Sequence, residues 1–300
     1  MSERYDFLGV GGLAVDWMIA LDRRLPLADE KIPARLVGKL PGGFIANATC
    51  AAARLGLRAA YGGWVGDDAD ADLLVDDFRA HGVDPAGLVR VSGEMTPFTV
   101  VITDEAARRA ILLPDSPLYH QPLTPDHLAL AERSRVVYTY PRDAAWVKAL
   151  ASAAHVGGGL FALDVESAVP LRGAALRAAI DRAEIVFAPR ETLAALHAGP
   201  LREMVRPEQW IVMTGGSEGA WGIAAGMTEP VHQPARRVQA VDTTGAGDCF
   251  HAALIAARLD GARLADALAF ASAAAALKVQ HRGARGGLPS RAEIEAFLAR

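Results

Sequence analysis

The sequence predicts an α/β fold in which a mostly parallel sheet lies between helices. Three observations lead there. From residue 124 onward, short apolar runs alternate with helical stretches, and strands spaced by helices imply a parallel sheet covered on both faces. At 300 residues, 51% of them hydrophobic, the chain can build one large domain, or a domain with a smaller appendage, around a sizeable core. Residues 97–103 and 109–113 are β-rich runs joined by the polar segment 104–108, which reads as a hairpin.

Taken in order, Tyr5 to Val10 reads as a buried strand ended by Gly11 and Gly12. The segment Gly9–Ala14 matches a GxGxxA dinucleotide fingerprint, which would make the chain a nicotinamide-dependent oxidoreductase. That fingerprint must open a helix, because the helix N-terminus holds the pyrophosphate. Val15-Asp16-Trp17-Met18-Ile19 and the charged, proline-containing sequence after it have little helical character. Lys31 to Leu40 alternates as a strand does, then Pro41-Gly42-Gly43 leads through Asn47 into a helix over 48–55 closed by Gly56. A strand at 59–65, a Gly66-Asp67-Asp68 turn and a helix at 69–81 follow. Past the hairpin, strands are expected at 135–138, 160–165, 185–187 and 209–213. A glycine-rich turn at 214–220, Ala-rich helices at 247–259 and 263–280, a 283–289 loop and an amphipathic helix at 290–299 complete the chain.

Charge is nearly balanced, 31 basic residues against 35 acidic, with no basic run to attract nucleic acid. Cys50 and Cys249 stand alone, as reduced thiols do in a cytoplasmic protein. No apolar run reaches the ~18 residues that a membrane span needs, and MSERYDFLGV lacks the apolar segment of a signal peptide. A cytoplasmic protein without membrane or nucleic-acid partners is expected.

The most informative stretch is Val241-Asp-Thr-Thr-Gly-Ala-Gly-Asp-Cys-Phe250. Gly245 and Gly247 allow a ligand to approach the main chain, and the helix that follows points its free N–H groups and positive dipole end at it. That is an anion cradle. Asp248 inside it opposes a bound phosphate unless it serves the chemistry, as a base for the attacking hydroxyl in phosphoryl transfer. For a lone GxG a glycine turn with a helix-start aspartate is the plainer reading; the full DTTGAGD string is more specific.

That string resembles the C-terminal motif of the PfkB (ribokinase-like) family of carbohydrate and nucleoside kinases, and the resemblance spans nearly the whole chain. It implies a ribokinase-like α/β fold, residues 1–300 forming a single domain, with a small β-sheet lid built from about 15–40 and 95–115. It implies ATP and Mg²⁺, Asp248 as general base, and an anion hole from Gly245, Ala246 and Gly247. Asp16 matches the G-x-x-x-x-D that binds sugar hydroxyls, and Gly42, Gly43 and Asn47 match the sugar-side GGxxxN. Thr214, Gly216 and Gly219 match T-x-G-x-x-G-A at the nucleotide, where Thr244 and Gly283 also fall. Asp242 would support a monovalent cation, K⁺, beside the cradle, and lids that pair between subunits would make a homodimer.

Two departures stand out. The N-x-x-E that organises water around Mg²⁺ is replaced by Phe187-Ala188-Pro189-Arg190-Glu191-Thr192: with Ala188 in the asparagine's place Glu191 survives, with Pro189 there both are lost. Asp164-Val165-Glu166-Ser167 lacks the D-x-N-x-R of several fructokinases and ketodeoxygluconate kinases. Lys31 and Arg35, on one face of the expected 31–40 strand, and Arg142 at a sheet end could clamp an anionic sugar, or be ordinary surface charges. Together with the FASAAAALK…GGLP tail they resemble the ketohexokinase and sulfofructose-kinase side of the family, which implies a ketose, sugar acid or sulfonated ketose as acceptor. A nucleoside is the near alternative, with Trp17 and Phe98 as aromatic contacts. A non-catalytic sugar sensor is the remaining one.

Overall fold

The computed structural model describes residues 4–106, 108–166 and 170–300; Ala107 of the hairpin turn and Ser167 after the expected 160–165 strand lie outside the described residues. The chain begins with strands β1 (Tyr5–Val10), β2 (Val15–Ala20) and β3 (Arg35–Pro41), then helix α1 (Phe44–Arg54). β4 (Ala59–Val65), α2 (Ala69–Ala80), β5 (Val83–Arg90), β6 (Phe98–Thr103) and β7 (Arg109–Leu112) come next. The second half alternates α3 (Pro125–Glu132), β8 (Ser134–Thr139), α4 (Ala144–Val156), β9 (Leu160–Asp164), α5 (Gly173–Ile180), β10 (Ile185–Ala188), α6 (Arg190–Leu196) and β11 (Trp210–Thr214). It ends with β12 (Ala220–Ala224), β13 (Val231–Gln233), α7 (Ala246–Leu259), α8 (Leu264–Lys278) and α9 (Arg291–Leu298).

Nine strands form one sheet in the order β13-β12-β11-β10-β9-β8-β1-β4-β5, parallel except where β12 and β13 return antiparallel. Along β1, Phe7 and Leu8 point to opposite faces, each into its own core. One core is closed by α1, α2, α7, α8 and α9, the other by α3, α4, α5 and α6. Burial on both faces explains why these strands are continuous apolar runs in the sequence. The Ala-rich faces of α7 and α8 let the two helices approach closely, with Ala252, Ala253, Ala256, Ala271 and Ala274 fully buried. No helix of the described residues is long and apolar enough to cross a membrane.

A separate four-stranded sheet, β3-β2-β6-β7, carries the expected hairpin as its β6–β7 pair. It differs from the expectation at two places. The expected 31–40 strand starts only at Arg35, which pairs with Ala20; Pro33 just before it lacks the N–H a ladder needs. Lys31 therefore lies in the exposed segment ahead of the strand and does not share a strand face with Arg35. Residues 15–20, whose lack of helical character argued against a dinucleotide site, are strand β2.

Candidate active site

Glycines build the site's floor. Gly245 takes φ 75° and caps α7; a Cβ there would stand 2.4 Å from the Ala284 carbonyl oxygen, so no other residue fits. Gly247, in the first turn of α7, is the reverse case: a Cβ would meet no protein atom within 4 Å. Among the described residues, none accepts from the N–H groups of Gly245, Gly247 or Asp248, the orphan donors of a helix start. Ala246 differs, because its N–H is spent on the Thr243 carbonyl at 3.2 Å. The cradle's donors are thus Gly245, Gly247 and Asp248.

Asp248 follows immediately, 8% exposed. Its Oδ2 accepts from the Asn47 amide at 2.8 Å, while Oδ1 has no partner among the described residues. Burial, opposed by the Asn47 hydrogen bond and reinforced by the charge of Asp164, pushes its carboxyl up to about 7. Asn47 does not act alone. Arg285, itself buried, donates from Nε to Asn47 Oδ1 at 3.0 Å, which turns the amide N–H toward Asp248. The same guanidinium donates to the Gly42 carbonyl at 3.0 Å and pairs with Asp77. Bidentate, planar and always charged, arginine suits such a hub.

Gly42 connects the hub to the small sheet. A Cβ on it would lie 2.6 Å from Asp16 Oδ2, so the Asp16 carboxylate rests directly on the Gly42 backbone. Gly43 caps α1 at φ 95° with no side-chain cap. Asp16, half-buried on β2, accepts from the Thr99 hydroxyl, and burial raises its pKa against that bond and the Arg285 charge. Asp16, Gly42, Gly43, Asn47 and Asp248 are thereby brought into one contiguous group, with Arg285 at its centre.

Behind Asp248 lies a second buried cluster. Tyr138 donates to Asp164 at 2.5 Å, and His251, one turn along α7 from Asp248, lies 3.2 Å from the same Asp164 oxygen. Burial would lower the His251 pKa, but Asp164 and Asp248 outweigh it and raise the value.

Thr214 ends β11, Gly216 takes φ 56° in the following turn, and Gly219 at φ 100° would clash with the Gln233 carbonyl if it bore a Cβ. Asp242 organises the loop ahead of α7. Its Oδ1 accepts from the Thr244 N–H at 3.0 Å, the Thr244 hydroxyl at 2.7 Å and Arg109 at 2.9 Å, and its Oδ2 from the Gly283 N–H at 2.9 Å. Although partly buried, it is held well below the usual carboxylate range by these donors. Arg109 begins β7, so this contact ties the small sheet to the cradle loop.

The remaining candidates do not join this group. Arg142 stacks 3.9 Å from the Trp146 ring and donates to the Tyr119 and Gln121 carbonyls at 3.2 and 2.7 Å and to Asp143 at 3.0 Å. Lys31 lines a mixed-charge surface hollow with Asp22, Arg23, Arg24 and Glu30, and Arg35 is exposed. Ala188 ends β10 buried, and Glu191 is exposed in the first turn of α6 with no ion pair among the described residues. Trp17 stacks on Phe98 at 4.8 Å and carries the Lys39 ammonium 4.5 Å from its ring, from the strands on either side of β2. Sequence reasoning missed Arg285, Arg109 and Lys278. Only Lys278, a lone cation in an alanine-rich helix, left a visible signal.

Comparison with known proteins agrees with this geometry. The family model described as pfkB family carbohydrate kinase matches residues 10–291. The chain is similar to a ribokinase from Bacillus subtilis, 27% identical over 97% of this chain and 98% of that one. It is also similar to a probable fructokinase-4 from Arabidopsis thaliana, 30% identical over 87% and 88% of the two chains. Among solved structures, an Arabidopsis thaliana ribokinase complexed with ribose and ATP superposes with TM-score 0.85 at 25% identity, covering 99% of both chains.

Proposed function

The chain belongs to the pfkB family of carbohydrate kinases, ATP-dependent phosphotransferases, and from that premise we propose that it phosphorylates a hydroxyl of a small sugar with Asp248 as the base. The observation that carries the reading is the Asp248 carboxylate itself. It is buried at the mouth of an unsatisfied N–H cradle, with one oxygen held by Asn47 and the other free for a substrate hydroxyl. In the proposed step Asp248 Oδ1 takes the proton as the sugar oxygen attacks the γ-phosphorus of ATP. The bond from that phosphorus to the bridging oxygen breaks, and ADP leaves with the electron pair. The free N–H groups of Gly245, Gly247 and Asp248 face the charge that spreads over the phosphoryl oxygens. A base near neutrality suits this work, being both available and basic at working pH.

Asp16 supports sugar binding, as a half-buried carboxylate with acceptor capacity for neighbouring hydroxyls. Thr214, Gly216, Gly219, Thr244 and Gly283 line the nucleotide side. Mg²⁺ would be held chiefly by phosphates and water, with the exposed Glu191 as the carboxylate this chain offers; when bound it neutralises phosphate charge. The small sheet acts as a lid that excludes water from the transfer. Its outer strands expose Leu36, Val37 and Leu40 on β3 and Ile111 and Leu112 on β7, an apolar surface suited to a homodimer through the lid.

For the acceptor, a neutral sugar such as a ketose is favoured over a sugar acid or sulfonated ketose, because Arg142 is spent on backbone carbonyls and on Asp143. A nucleoside is less favoured, since the Trp17 ring is already engaged by Phe98 and Lys39. ADP release across neutral ketoses and aldoses, sugar acids, sugar phosphates, a sulfonated ketose and nucleosides tests this reading. Turnover is expected on a neutral sugar; an anionic or nucleoside winner would overturn the acceptor class, and silence with sugar binding retained would leave a sensor.

A further inference from the structure

A buried charge lies directly beneath the cradle and has no part in the chemistry above. Lys278, the last residue of α8, is fully buried, yet among the described residues its ammonium is not paired with a carboxylate. It donates to the carbonyl oxygen of Thr244 and, at 3.4 Å, to that of Asp242. Burying an ammonium is costly unless it is hydrogen-bonded, so this arrangement needs a reason. The reason lies in the peptide it touches. The Thr244 carbonyl belongs to the same planar unit as the Gly245 N–H, and in a trans peptide the two point in opposite directions. Fixing that carbonyl on a cation fixes the N–H toward the cradle and polarises it.

The same position is where family resemblance places a monovalent cation, supported by Asp242. The residues present do not fit one. Three donors occupy Asp242 Oδ1 and a fourth occupies Oδ2, leaving little acceptor capacity for a metal ion. The carbonyls of residues 242 and 244, which would complete a cation shell, already take the lysine ammonium. We propose that Lys278 is a resident cation for the phosphoryl cradle, positioning the Thr244–Gly245 peptide, and that the protein binds no K⁺ there and needs none. The inference rests on the reading of 242–248 as that cradle.

The test uses the full chain and reads the cation apart from turnover. Thermal unfolding and binding of a non-hydrolysable ATP analogue with Mg²⁺ are measured in potassium and in tetramethylammonium chloride at equal ionic strength. Wild type is expected to show the same melting temperature and the same analogue affinity in both salts. Lys278→Ala, which opens the carbonyls, is expected to acquire a saturable, K⁺-specific rise in both. With the best sugar, its turnover in tetramethylammonium should fall by about 10²–10³-fold, the loss seen when one oxyanion donor is removed, and should recover with K⁺. A saturable K⁺-specific rise in the wild-type melting temperature overturns the proposal. So does a folded Lys278→Ala that binds the analogue as wild type does and ignores K⁺. Should the alanine variant not fold in either salt, the wild-type comparison decides alone. Melting and nucleotide binding do not depend on which sugar is phosphorylated, so a wrong acceptor leaves these results intact.

Discussion

Asp248→Asn should cut turnover by about 10²–10⁴-fold and yet stabilise the folded chain, by an amount that depends on pH. Burial and the Asp164 charge hold the Asp248 carboxyl at about 7, against 3.8 in an unfolded chain. At ~1.36 kcal/mol per pK unit this difference of roughly 3 units sets an upper bound of ~4 kcal/mol on the cost of the ionised group. The sign follows from proton binding. The folded state holds this proton more tightly than the unfolded state, so stability falls as pH rises from about 4 to about 7 and the full cost is present above that. Asparagine carries no charge and can still accept the Asn47 hydrogen bond through its carbonyl. His251, raised in part by the Asp248 charge, loses some support in the variant and brings the gain below the bound. The stability gap between variant and wild type should therefore widen by ~2–3 kcal/mol from pH 5 to pH 8, two pK units of which lie below the folded-state value. Urea unfolding of both proteins at the two pH values measures it. A variant less stable than wild type at pH 8, or a gap that stays flat between the two, would refute the burial argument.

Other consequences can be checked alongside. Gly245→Ala should cost at least ~1–3 kcal/mol, from a positive φ and the Ala284 carbonyl in the way, seen as a lowered Tm. Gly247→Ala should leave Tm unchanged or raised, because its methyl meets no protein atom, while ATP turnover collapses. Arg109→Ala removes a half-exposed contact between β7 and the cradle loop; it should raise KM for ATP by about two- to fivefold, the worth of an exposed ion pair, with Tm nearly unchanged. The kcat/KM of wild type should rise with pH through a limb near 7, where Asp248 ionises, and a profile flat from pH 5 to 8 would contradict its role as base.

Much of the fold was legible because the central strands are buried on both faces and so stand out as apolar runs: β1 and β4 lie where the sequence places them, at 5–10 and 59–65. β5 was not legible. Pro85 and Gly87 interrupt it, which an edge strand tolerates and a sequence pattern conceals. α1 begins at Phe44 rather than at 48 because Gly43 starts it through backbone conformation, with no capping side chain to announce it. In the candidate site, Asp248 and its glycines were legible, since they stand in consecutive positions of one string. The sequence assigns Asn47 to the sugar, but its contact with Asp248 is not legible there, because Arg285, which aims the amide, lies 238 residues away along the chain. Arg142 reads identically in sequence whether it meets a ligand or two carbonyls. The structure gives it the carbonyls.

The most direct test of the central claim is transfer of labelled γ-phosphate from ATP to the best sugar by wild type and by Asp248→Asn, with sugar and nucleotide binding followed by calorimetry. The account predicts that the variant binds both ligands as wild type does while kcat falls by about 10²–10⁴-fold, the worth of a positioned base. A variant that binds both and keeps kcat within about tenfold of wild type would show that Asp248 is not the base.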